Sequence, residues 1–346
     1  MFILGVETSC DETSASVLSG TGQKIKILSN VVASQIEIHK KYNGVVPEIA
    51  AREHVLNIIP VINEALVKAK TSYKKIDFLA VTIGPGLITS LIPGIEATRS
   101  LSYAWNVPVI PINHIEGHIY SSFINISNQN VFPALILIVS GGHTTIVLMK
   151  NHGKYKIVGE TRDDAAGEAF DKAAKMLGLG YPGGPIISEK ARIFQERGKK
   201  STLSLPRPMI NSNDFDFSFS GLKTALLYQL KKDLNWHNRV EEYCYEVQQA
   251  IIDVLIIKTM KAAIKNKVKT VVLCGGVSAN KKLRLDLQEK VENELNLPFF
   301  VPEFQYTTDN AAMIASAAYF KVKNKVNFKK NTDWQKLKAN SSLDLC

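Results

Sequence analysis

One pattern limits what this chain can fold into: a strand, a polar turn and a second strand, met twice. Phe2–Val6 is a short apolar run, Glu7–Thr13 a turn dense in hydroxyls and acids, and Ser14–Leu18 a second strand-like run. The same order returns at Ala134–Val139, Ser140–Thr144 and Thr145–Met149. Helical spacing follows each pair, at Pro47–Ala69 and Ile95–Ala104 around a strand at Phe78–Ile83, and later at Ala165–Leu177, Glu241–Ile264, Asn280–Leu295 and Asn310–Val322, with a strand at Thr270–Leu273. Mixed strands and helices read as α/β, and a chain of 346 residues has room for two such domains. The polar run Asn125–Asn130 ahead of Pro133 places the boundary near 125–133, giving domains 1–131 and 132–346. The Pro- and Asn-rich stretch 201–219 reads as a surface loop, and Glu241–Ile264 as a long amphipathic helix.

Charge is uneven between the two expected domains. Residues 1–131 carry 10 basic and 10 acidic residues, whereas 132–346 carry 32 and 22, so the whole surplus of +10 falls in the second part. A solvated lysine-rich surface and a face for a polyanion both fit. The four cysteines, Cys10, Cys244, Cys274 and Cys346, form no CxxC pair, which argues against a disulfide framework or thiolate zinc site and for a reducing compartment. No signal peptide is legible, and the apolar stretch Val131–Met149 is broken by Ser140–His143, so a soluble cytoplasmic protein without a membrane span is expected.

Several turns can carry chemistry. The tip Glu7–Ser14 gathers three carboxylates and several hydroxyls, suited to holding phosphate through a cation or simply to being solvated, and it offers Asp11 and Glu12 as candidate catalytic carboxylates. At Ser140-Gly141-Gly142-His143-Thr144, glycines let backbone amides approach an anion closely. Cys274–Asn280 places a double glycine between strand and helix, without matching a dinucleotide or P-loop fingerprint. His114 and His118 stand one helical turn apart, the spacing that lets two imidazoles share an ion; a carboxylate such as Asp309 could complete the set, or could cap the helix that follows it. Asp164, Glu168 and Asp171 form an acidic helical stripe. Phe215–Lys223 interleaves aromatic and polar residues, as either a base-stacking surface or an apolar plug.

Taken in order, these segments resemble the tRNA N6-adenosine threonylcarbamoyltransferases, the bacterial TsaD proteins once described as O-sialoglycoprotein endopeptidases. The likeness rests on GVETSCDET at 5–13, GVVPE at 44–48, GPGL at 84–87, HIEGH at 114–118, SGGHT at 140–144, DDAAGEAFDK at 163–172, YPGGP at 181–185, DFSFSGLKT at 216–224, GGVSAN at 275–280 and TDNAAMIA at 308–315. Gly180 departs from the Asp common in bacterial relatives, and the tail after Lys323 has no motif to align.

The resemblance implies an actin-like ATPase-type fold, two RNase H-like α/β domains with a nucleotide cleft between them. It implies transfer of the threonylcarbamoyl group of threonylcarbamoyl-adenylate to N6 of adenosine 37 in tRNAs reading codons that begin with A, with release of AMP. His114, His118 and Asp309 would bind one divalent metal, usually Fe2+, with Zn2+ or Mg2+ as alternatives. Ile138, Val139, Ser140, Gly141, Gly142, Asp171, Gly184 and Asn280 would bind the adenylate. A TsaB-like paralogue and a TsaE-like ATPase would be partners. The tRNA substrate attaches the positive surplus to the second domain and tail, so binding should weaken steeply with salt, and neutralising Lys321, Lys323 and Lys325 should flatten that slope if the tail takes part. A metallopeptidase would use the same His pair but lacks HExxH, and a sugar or acetate kinase of this fold would leave that pair unexplained.

Overall fold

A continuous apolar run, buried on both faces, sets the first hairpin: β1 (Phe2–Glu7) pairs antiparallel with β2 (Glu12–Thr21), from Phe2 opposite Ser19 to Glu7 opposite Ser14. β3 (Lys24–Ser34) extends it, while β4 (Phe78–Gly84) and β5 (Val109–Asn113) add parallel strands, in the order β3-β2-β1-β4-β5. Parallel pairing needs crossovers. They are supplied by α2 (Pro47–Lys68), after the short α1 (Ile36–His39), and by α3 (Ile88–Trp105). β5 leads directly into α4 (His114–Ser121). The computed structural model describes residues 1–22, 24–124, 126, 130–198, 200–324 and 334–345.

The grammar repeats as the sequence foretells. β6 (Ala134–Val139) and β7 (Thr144–Asn151) form an antiparallel hairpin from Ala134 opposite Met149 to Val139 opposite Thr144. With β8 (Lys154–Glu160), β9 (Thr270–Cys274) and β10 (Phe299–Phe300), they give the order β10-β9-β6-β7-β8, the mirror listing of the first sheet's sequence of connections. α5 (Ala166–Met176), α6 (Gly183–Glu196), α7 (Ser220–Lys232), α8 (Val240–Asn266) and α9 (Lys281–Leu295) complete this part, and α10 (Ala311–Lys323) follows. Each sheet is of the RNase H-like α/β kind. Among the described residues no helix is long and apolar enough to cross a membrane.

The expected boundaries need correction. The first unit comprises Met1–Gln129, Asn151–Tyr155 and Pro302–Cys346, and the second Asn130–Lys150 and Lys156–Val301, so the domain expected at 132–346 ends at Val301. The cause is α10: Ala311 through Phe320 are all buried, and its alanine-rich surface packs on β1, β2 and α4. A helix apolar all round must be enclosed, and the first sheet encloses it. The basic tail therefore belongs to the first unit. Lys321 donates to the Pro111 carbonyl at 3.3 Å and Lys323 lies over the Phe320 ring with a buried Nζ, so both serve packing rather than a free phosphate-binding face. Lys325 lies outside the described residues.

In the second unit α8 is buried on nearly every side rather than amphipathic, because α5, α6 and α9 pack around it. The loop 201–219 lies over it on polar pins: Thr202 N donates to Glu242 Oε1 at 2.7 Å and Leu205 N to Glu246 Oε1 at 3.0 Å. Burial and the Asp214 carboxylate act oppositely on Lys258, whose ammonium donates to the Asp214 carbonyl at 2.9 Å. Phe217 and Phe219 are fully buried, which makes the aromatic stretch an apolar plug and not a base-stacking surface.

Candidate metal centre and anion loop

α4, which carries both histidines, is set by its cap. Asn113, the last residue of β5, accepts from Ile115 N at 2.8 Å and Glu116 N at 3.3 Å through Oδ1, starting α4 at His114. His114 and His118 then share a face, with ring centroids 4.7 Å apart. Asp309 joins them from far along the chain because Asn310, not Asp309, caps α10, its Oδ1 accepting from Met313 N at 3.1 Å. Asp309 Oδ1 lies 3.5 Å from His114 Nε2 and 3.2 Å from His118 Nε2, and the three ligand atoms fall within 4.8 Å of one another.

This set fits a cation. His118 Nε2 is buried and makes no hydrogen bond despite the nearby carboxylate, so the two atoms face a common point and not each other. A buried polar atom left unpaired costs about 1–3 kcal/mol, which an ion at that point would offset. His114 uses its other nitrogen: Nδ1 lies 3.0 Å from Ser9 Oγ and 3.4 Å from Glu7 Oε2, leaving Nε2 free for a ligand bond. Carboxylates behind ligating imidazoles orient them and raise their basicity. Two imidazoles and one carboxylate with open positions suit Fe2+ or Zn2+ better than Mg2+.

Glu7 was legible only as one acid of a turn, and its place here is new. It is fully buried, accepts from Ser9 N at 2.6 Å and also takes the Thr82 hydroxyl. Burial opposes its charge, but the His114 imidazole holds the carboxyl below its ordinary range. Burial likewise opposes charge on His114, yet Asp309 and Glu7 lift it to about 9 in the metal-free chain. Glu116 turns away, its Oε1 accepting from Tyr155 Oη at 2.9 Å.

Asp11 and Glu12 sit beside this centre, both nearly buried. Burial, then Asp11 and Asp309, push the Glu12 carboxyl well above its usual range. His54 on α2 fixes the tip. A carbonyl can only accept, so His54 Nε2 donates to Cys10 O at 3.0 Å, and Nδ1 takes the Thr13 hydroxyl at 2.8 Å.

The residues expected around the adenylate fall in the second unit at separate places: the end of β6 and the turn after it, α5, the start of α6 and the cap of α9. Ile138 and Val139 end β6, and the Ser140–Thr144 turn is closed by Ser140 N donating to His143 O at 2.8 Å. Gly141 and Gly142 are exposed with open space where a Cβ would stand, leaving room over their backbone. Gly275, at φ +89°, lets the turn after β9 touch this loop, since a Cβ there would lie 2.4 Å from the Val139 carbonyl. Asp171 accepts from Gly183 N at 2.7 Å, which ties α5 to the start of α6 where Gly184 lies. Burial raises its carboxyl pKa despite the Gly183 and Gly184 amides. Asn280 is already employed: Oδ1 caps α9 at Leu283 N, 3.0 Å, and Nδ2 donates to Gln248 at 2.8 Å. Asp164 and Glu168 pair with Lys172 at 2.7 and 2.8 Å, a structural use of the acidic stripe.

Two RNase H-like α/β units, one bearing a His-His-Asp set with both imidazoles buried and the other a glycine-rich turn, define a protein of the actin-like ATPase class. The likeness extends to a whole family. The TsaD family, tRNA N6-adenosine threonylcarbamoyltransferase, matches residues 26–316, and the chain belongs to it. It is 47% identical over 319 residues to the tRNA N6-adenosine threonylcarbamoyltransferase of Syntrophomonas wolfei, covering 92% of this chain and 91% of that one. The Bacillus subtilis protein of the same name is also 47% identical, over 92% of this chain and 89% of its own. Among solved structures, HypF of T. kodakarensis shares the fold at 12% identity and a TM-score of 0.60, over 94% of this chain and 48% of HypF.

Proposed function

We propose that this chain is an acyltransferase that moves the threonylcarbamoyl group from threonylcarbamoyl-adenylate to N6 of adenosine 37 in tRNAs reading codons that begin with A. The observation that carries this reading is membership of the threonylcarbamoyltransferase family over most of the chain, together with a His-His-Asp set that a peptidase or kinase reading leaves without its usual companions. The adenine N6 attacks the carbamoyl carbon, the bond from that carbon to the phosphate oxygen breaks, AMP leaves, and N6 gives up one proton. A mixed anhydride is already activated, so positioning and charge stabilisation suffice without a protein nucleophile.

His114, His118 and Asp309 would hold one divalent ion, most simply Fe2+, which supplies Lewis-acid polarisation of an oxygen when bound. The Ser140–Gly142 amides, with Ile138, Val139, Gly184 and Asn280, would receive the adenylate, and Asp171 would keep the α6 start in place beside it. Asp11 would take the N6 proton, with Glu12 as its hydrogen-bonded companion.

Val55, Leu56 and Ile59 on α2 and Ile92 on α3 are exposed apolar side chains, which supports docking of a TsaB-like paralogue there; a TsaE-like ATPase completes the expected set. Among the described residues Cys10, Cys244 and Cys274 are free thiols, which fits work in a reducing compartment. Reconstitution with threonine, bicarbonate, ATP, the partner proteins, the enzyme that makes the adenylate and unmodified tRNA tests the reading. Threonylcarbamoyladenosine on nucleoside mass spectrometry is the expected product; its absence beside a working control enzyme overturns the proposal.

A further inference from the structure

Residues 334–345 have no sequence motif, yet their backbone is bound to the part of the first unit that starts the metal helix. Asn340 N donates to Ile83 O at the end of β4 at 2.8 Å, and Gly86 N donates to Ser341 O at 3.3 Å. Upstream, Arg99 on α3 donates to the Trp334 carbonyl at 3.2 Å and the Leu337 carbonyl at 2.6 Å, while Leu337 is buried in the first unit's core. Gly84 permits the approach, because a Cβ there would lie 1.8 Å from the Asn340 carbonyl oxygen.

The segment ends on Asn113. Asn113 Nδ2 donates to Leu343 O at 3.1 Å and Asp344 O at 3.0 Å, while its Oδ1 receives the Ile115 and Glu116 amides of α4. Two donors face two carbonyls and one acceptor faces two N–H groups, so only one orientation of the amide satisfies all four bonds. An N-cap asparagine needs only its oxygen. Here the nitrogen is used as well, and it fixes the amide plane from which His114 departs.

We propose that the 334–345 segment is a clasp that positions Asn113, and through it the His114–His118 face of α4, for metal binding. The inference rests on the reading of His114, His118 and Asp309 as ligands. Asn113 and Arg99 are positioning residues in this scheme and touch no substrate.

Co2+ titration of the full-length, metal-stripped chain tests it, because the ligand-field bands of Co2+ report coordination geometry directly. Asn113→Asp keeps the cap oxygen and removes the two donors to the clasp. Arg99→Met releases the same segment from a distance. Both should weaken Co2+ binding about tenfold, the lower end for residues behind a metal ligand, and shift the bands, while the melting temperature changes little. Faster hydrogen exchange at the Asn340 amide shows that the clasp is released. Parent-like Co2+ affinity and spectrum in both variants, with that release seen, overturn the proposal. His118→Ala separates the two readings: if it leaves Co2+ uptake intact, the ligand reading has failed. Exchange of the Ile115 and Glu116 amides in the metal-free chain then decides the clasp alone, where faster exchange in Asn113→Asp supports it and unchanged protection overturns it.

Discussion

Glu7 Oε2 stands 3.4 Å from His114 Nδ1, and both side chains are buried. With Ser9 Oγ at 3.0 Å from the same nitrogen, the contact occupies Nδ1 and leaves Nε2 on the side of Asp309. Glu7→Gln keeps the shape and removes the charge. Metal affinity should fall about 10–100-fold, with kcat for threonylcarbamoyladenosine formation reduced and the KM for tRNA unchanged. Metal titration and steady-state assays read this, and wild-type affinity in the variant would show that Glu7 does not serve the ion.

Asp309 and Asn310 divide two tasks that the sequence leaves open between them. Asn310→Ala removes the α10 cap and should cost about 1 kcal/mol, visible in thermal or urea melts, with metal content retained. Asp309→Ala leaves that cap in place and should lose the ion and reduce transfer to background. Retained transfer in Asp309→Ala or in a folded His114→Ala, His118→Ala double variant would contradict the ligand set.

Much of this was legible before the fold was known, and the misses have physical causes. The two hairpins were clear because apolar runs flank polar turns at Glu7–Thr13 and Ser140–Thr144. The spacing predicts a helix from Ile95, whereas α3 starts at Ile88 with Pro93 and Gly94 inside it, held by burial of Leu91 and Ile95. α6 was hidden because Gly183-Gly184-Pro185 reads as a turn; its first amide is satisfied by Asp171, a partner no local window contains. The His pair was visible from spacing, but Glu7 behind it was not, because nothing between residues 7 and 114 announces their contact. The domain boundary went wrong at α10, where Ala311–Ala318 already spelled a helix too apolar to lie on a surface.

Phe217 decides between a plug and a nucleic-acid surface, and its full burial predicts the outcome of removing it. Phe217→Ala should destabilise by about 3–5 kcal/mol, the range for truncating a buried aromatic. The tRNA affinity of the folded fraction should stay at the parent value. Denaturant melts and filter binding separate the two effects, and lost affinity without lost stability would restore the stacking reading.

His152 predicts how stability follows pH. Its ring stacks on Phe320 at 4.8 Å and on Tyr120 at 5.8 Å, with Nδ1 3.1 Å from the Tyr120 hydroxyl. Burial, and then the Lys323 charge, lower its pKa to about 4 from the ordinary 6.5. The unfolded chain therefore takes up a proton at higher pH than the folded one. The stabilisation associated with neutral His152 is complete above pH 6.5, declines as pH falls, and is gone once pH passes below about 4. His152→Phe keeps the stack and removes the titration, so the melting temperature of the variant should gain on the parent by a few °C between pH 6.5 and 4. Because other groups titrate equally in both chains, the difference isolates His152. Parallel melting curves across that window, or a His152 ring resonance that titrates near 6.5, would show that the ring is not held neutral by its surroundings.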